Sequence, residues 1–167
     1  MALSIAFNDK FCLLLLELRK NFFDEADMGL LKELETKYDF DVVDDFMTHF
    51  GVMSMSLEPL IVGLSKPEAF ENSVGEILRI FRNLHSASKF LGLEPVAKFM
   101  GLCLNLCEGL NQAKSSGCVA SDELVDWLLL AADQIESYRR NIDNDEVYFT
   151  IINPKLIKMP LELIKQS

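Results

Sequence analysis

Apolar residues recur at three- and four-residue spacing along nearly the whole chain, the helical period, and strand-like alternation is sparse. The clearest seam opens near Asp41, where Val43, Phe46, Phe50, Met53, Leu57, Leu60 and Leu64 step along one stripe. Asp41, Asp44 and Asp45 stand at its start, where a helix dipole favours negative charge. Pro59 is expected to kink this helix or end its first part, because it removes a backbone donor and crowds the preceding turn. Ser65-Lys66-Pro67 reads as a turn. A second seam of Val74, Ile77, Phe81, Leu84, Ser88 and Leu91 predicts a helix from Pro67 or Glu71 to Leu91, with Gly92 as its C-cap. Glu94-Pro95 restarts a helix, since proline in a first turn gives up a donor that has no partner there. Its seam is Val96, Phe99, Cys103, Leu106 and Leu110. Lys114-Ser115-Ser116-Gly117 reads as a hairpin-type loop. Ser121 then caps a helix with Asp122 and Glu123 in its first turn, and Leu124, Trp127, Ala131, Ile135 and Tyr138 form its inner face.

The flanks are different. Asn8 caps a first amphipathic helix to about Phe23, and a short one runs from about Ala26 to Lys37. Beyond Asn144 the pattern dissolves: Tyr148 to Ile152 reads as extended, and Asn153-Pro154 and Met159-Pro160 block a long helix. Four long helices with short connections predict an all-α fold, an antiparallel up-down four-helix bundle over residues 41–143. Residues 1–40 would add one or two N-terminal helices. Residues 144–167 would form an irregular C-terminal tail, packed along the bundle or trailing from it.

Composition narrows the class. Half of the 167 residues are apolar, enough for one good core. The longest dense apolar run, Phe11 to Leu16, is far short of the roughly 20 residues of a membrane span. Met1 to Phe7 has no basic segment or cleavage pattern of a signal peptide, so the expectation is a cytoplasmic protein with no membrane partner. Net charge is −10 with no basic stripe, which argues against a nucleic-acid partner. Cys12, Cys103, Cys107 and Cys118 are expected to be free, buried thiols. Cys103 and Cys107 share a helix face, but the two histidines, His49 and His85, lie in other segments, so no metal site is expected. His49 is expected in a half-buried structural role and Trp127 in the core. The chain lacks a phosphate-cradling glycine loop, a nucleophile elbow and the paired Glu-x-x-His of di-metal bundles. An enzyme reading therefore has little to stand on, and no cofactor is expected.

One stretch carries candidate chemistry, Ile77 to Pro95. At about 100° per residue, Arg82, Ser86 and Lys89 fall together on the outer flank of their helix, and His85 lies between that flank and the core edge. Two readings fit these residues: a solvated face with a boundary histidine, or a face that accepts an anion or phosphoryl group.

This stretch resembles the histidine-containing phosphotransfer (HPt) family, including the first domain of chemotaxis kinases. The resemblance runs from about Asp41 to Asn141 and covers the helix order, the Gly92-Leu93 break and the Glu94-Pro95 restart. The family motif is His-x-x-Lys-Gly-x-Ser-x-x-x-Gly, often preceded by Phe-Arg-x-x. An ungapped register sets Ser88 on the motif serine and Gly92 on the last glycine. It puts Arg82 in the histidine slot, His85 in the lysine slot and Ser86 in the glycine slot. A second register matches Phe81-Arg82-Asn83-Leu84-His85 to the lead-in, lacks the Lys-Gly pair and needs a three-residue deletion before Gly92. Such a deletion would rotate the rest of the helix by about 60° and shorten it by about 4.5 Å. The unbroken seam from Val74 to Leu91 favours the ungapped register.

The resemblance implies two-component signalling, with a response-regulator receiver domain or a histidine kinase as partner. Arg82, His85, Ser86 and Lys89 would be the docking residues, and any Mg²⁺ would belong to the partner. His85 is then the candidate phospho-acceptor, because an arginine offers no neutral nucleophilic nitrogen near pH 7. The alternatives are a degenerate module, in which Arg82 docks against the acidic pocket of a receiver and no phosphoryl group is carried, and a structural or oligomerising bundle.

Overall fold

The computed structural model describes residues 28–114 and 117–166, so the helix expected from Asn8 to Phe23 lies outside the described residues. Within them the chain is mainly helical: α1 (Leu30–Lys37), α2 (Phe40–Gly63), α3 (Pro67–Phe90), α4 (Glu94–Ala113) and α5 (Asp122–Asp143). None of these helices is long and apolar enough to cross a membrane.

The helix ends follow local chemistry. α1 starts at Leu30, later than the expected Ala26, because Gly29 is extended and the Leu30 N–H donates instead to Glu146 O across the fold. Pro59 does not end α2, which continues to Gly63. The carbonyl that loses its donor to the proline belongs to Met55, a residue 79 % exposed, where solvent can supply the missing bond. α3 closes on Gly92 at φ +70°, with Leu93 N–H donating to Ser88 O and Gly92 N–H to Lys89 O. That is the pair of bonds a glycine-terminated helix makes to satisfy its last carbonyls. Ser121 Oγ caps α5 by accepting from Leu124 N–H, and its hydroxyl donates to Glu162 O.

α3 packs on α2 and α4, and α5 packs on α2 and α4. The apolar seams meet in one core whose largest fully buried side chains include Phe50, Phe81, Ile77, Met100 and Leu128. Trp127 is in that core, as its seam position predicts, with Phe99 6.5 Å away between ring centres. Cys103, Cys107 and Cys118 are buried. Burial pushes the Cys107 thiol up to about 12 and raises Cys103 as well, so both stay protonated and behave as small apolar groups.

Tyr148 to Ile152, read from the sequence as extended, pairs in no strand, and the tail then forms a short 3₁₀ turn, Pro154–Ile157, that buries Leu156. It is fastened by Asn153 N–H donating to Gln134 Oε1, and Phe149 stacks edge-on against Tyr138. The strands lie elsewhere. β1 (Cys118–Ala120), just after Gly117 at φ +77°, pairs antiparallel with β2 (Ile164–Gln166), Val119 opposite Lys165. The tail therefore packs on the helices, because its strand completes a ladder and Leu156 fills the core.

Candidate functional site

The outward side of α3 carries Arg82, Ser86 and Lys89, all exposed. Their spacing of four and three residues brings them to one face, as periodicity predicts. The Arg82 guanidinium is not isolated: Nη2 lies 3.1 Å from Glu108 Oε1 on α4. His85 is half-buried and turns toward α4. A methyl group on Gly101 would stand 3.5 Å from His85 Nε2, an ordinary contact, so the imidazole lies against the α4 backbone at Gly101 with room to spare for a Cβ.

Between α3 and α4 lies an open groove of about 530 Å³, lined by His85, Lys89, Lys98 and Asn105 among others. Glu94 sits in the same groove, 3.7 Å from Lys98, and offsets one of the two lysines. The groove sets two lysines and one glutamate beside an imidazole, a group of residues able to receive an anion. Ser88, the residue aligned with the motif serine, is fully buried, and its hydroxyl has no partner among the described residues. It belongs to the core and not to the site.

Sequence reasoning did not find Glu108, Gly101, Lys98 or Asn105. They lie off the apolar seam of α4, and no local signal tells which side of α4 meets α3.

A second surface lies between α2 and α3. Val42, Phe46, His49 and Met53 face Leu84 and Phe90 across an apolar groove of about 420 Å³. His49 is exposed on its rim, not half-buried in a structural role as expected. The groove opens to solvent on that side, so the residue flanking the α2 seam finds no cover.

On the opposite side of α2, Glu136 of α5 accepts from Ser54 Oγ at 2.9 Å and from Arg139 and Arg140. Arg139 first, with help from Ser54 and Arg140, holds the Glu136 carboxyl down to about 2. This clamp ties α5 to α2 and presents no nucleophile.

Among known proteins, no family model, curated sequence or solved structure matches the chain.

Proposed function

We propose that this chain is a docking module of HPt type, an up-down four-helix bundle that binds a receiver domain or a histidine kinase through the outward face of α3. It gates phosphoryl flow by occupying that partner and does not itself carry the phosphoryl group. The observation behind this reading is the burial order along α3: Arg82 exposed, Ser86 exposed one turn on, Ser88 fully buried. That order suits the ungapped register, in which an arginine stands where the family's acceptor histidine would be.

An arginine there is permanently cationic and presents a planar set of donors to a carboxylate. A receiver's acidic pocket would replace Glu108 as the partner of Arg82, with Lys89 two turns along as a second cation. Purified receiver domains titrated against the full chain test the idea. Arg82→Ala should weaken binding about tenfold or more, the equivalent of about 1.4 kcal/mol. His85→Gln should leave binding unchanged. Equal binding by wild type and both variants sinks the proposal.

The groove beside His85 supports a second reading, phosphoryl transfer onto that imidazole with Lys89 and Lys98 near the incoming anion. It requires an acid-labile, alkali-stable label after incubation with a phosphodonor kinase, lost in His85→Gln. Docking without such a label decides for the first reading.

A further inference from the structure

α2 is apolar on two sides. Its buried seam, with Phe46, Phe50, Leu57 and Ile61, faces the core. At about 100° per residue, Val52, Met55, Pro59 and Val62 form a second stripe on the opposite side. All four are exposed, Met55 and Val52 most of all among the apolar side chains of the stripe. Among the described residues, neither α4 nor α5 exposes a large apolar side chain in this way. A helix with apolar residues on both faces is normally buried on both.

The charges around the stripe say what covers it. Asp41, Asp44 and Asp45 stand exposed at its start, and Lys66 stands exposed in the turn just past its end. None of these four forms an ion pair among the described residues. The carboxylates, with exposed Glu58 further along, repel an anionic membrane surface. One acidic end and one basic end on a single helix are instead self-complementary. A second copy turned end for end sets Asp45 beside Lys66 twice, as a two-fold contact requires.

One axis accounts for the other neighbours as well. Centred on Met55, it sets Val52 opposite Pro59 and Thr48 opposite Val62. It brings Glu58 of each copy near Gly51 of the other. Arg140 of α5 lies at that level, because Ser54 meets Glu136 and a Cβ on Gly51 would meet Arg139. Arg140 is exposed and on the same side of α2 as Glu58. Both line a depression of about 450 Å³ beside Met55, which gives Met55 of the second copy a place to enter.

We propose that the outer face of α2 is the contact of an antiparallel two-fold dimer of this chain, with Met55 on the axis. Each apolar stripe covers the other, and Asp45–Lys66 pairs between chains close the two ends. The inference is independent of receiver docking. Arg82 and His85 turn from α3 toward α4, away from α2, so the dimer leaves their face open.

Charge reversal provides the test. Asp45 and Lys66 of one chain stand at opposite ends of α2, about 27 Å apart over the helical part alone, so coupling between them arises only across two chains. Sedimentation equilibrium of the full-length chain should show a dimer with Kd below about 100 μM. Asp45→Lys and Lys66→Asp should each weaken it about tenfold or more, since each sets two pairs of like charges together. The double variant should return to within about threefold of wild type. Met55→Asp should give a monomer with unchanged helical circular dichroism, because the residue is exposed. A monomeric wild-type chain overturns the proposal. So does a dimer that survives Met55→Asp, or a double variant as weak as the single ones.

Discussion

The Arg82 guanidinium of α3 lies 3.1 Å from the Glu108 carboxylate of α4, with the two side chains 56 % and 40 % exposed. The pair is open to competition. An acidic partner that takes Arg82 must displace Glu108, so Glu108→Gln should tighten binding of a receiver domain while Arg82→Ala weakens it. Both changes should alter unfolding free energy by less than about 1 kcal/mol, as exposed ion pairs do. Calorimetric titration and urea unfolding of the two variants check this; weaker binding by Glu108→Gln contradicts it.

Gly101 faces His85 without crowding it. A Cβ there meets Nε2 at 3.5 Å, an ordinary contact, so Gly101→Ala should stabilise α4 by about 0.5–1 kcal/mol through lower backbone entropy in the unfolded chain. The imidazole should keep its place, seen as unchanged His85 ring proton shifts. A loss of stability would show that the ring packs against α4 more tightly than this geometry allows.

Ser88 buries a hydroxyl with no hydrogen-bond partner among the described residues. Ser88→Ala removes an unsatisfied polar atom and improves helix propensity, so it should be neutral or stabilising by about 1 kcal/mol. Receiver binding should not change. Loss of binding in a normally folded Ser88→Ala protein would return this residue to the site.

Glu136 gives the fold a predicted acid response. Its carboxyl is held at about 2, below the ordinary 4.5, by Arg139 ahead of Ser54 and Arg140. The unfolded chain binds the proton more readily, so the clamp's contribution is present above pH 4.5 and is lost as pH falls toward 2. Melting temperature followed over that window should fall less steeply for Glu136→Gln than for wild type. Parallel curves would remove Glu136 as a source of the acid sensitivity.

Ser121 joins two parts of the fold through one hydroxyl, capping α5 and donating to Glu162 O in the tail. Ser121→Ala should cost about 1–2 kcal/mol, more than an exposed cap, because Ser121 is buried and two bonds go at once. A cost near zero by urea unfolding would mean that water or a neighbouring group replaces both.

Much of the helical framework was legible in the sequence because it is written in local spacing. The seams beginning at Val43, Val74, Val96 and Leu124 mark the buried sides of α2 to α5, and Gly92 and Ser121 mark two of their ends. Arg82, Ser86 and Lys89 read as outward, and His85 as a boundary residue, for the same reason. A side chain's direction around its own helix depends only on its position in the turn.

What lies across from each side chain depends on packing, and only the tertiary structure decided it. The match of Glu108 to Arg82 and of Gly101 to His85 follows from which side of α4 meets α3. The exposure of His49 follows from the open groove between α2 and α3 that it lines. Pro59 stays within its helix because the Met55 residue it deprives of a donor faces solvent, which no local pattern records. The pairing of Cys118–Ala120 with Ile164–Gln166 joins segments on either side of α5, a contact between positions too distant in the chain for periodicity to encode. Helical periodicity belongs to one segment, whereas a site or a ladder belongs to two, and the register between them is set when their side chains pack.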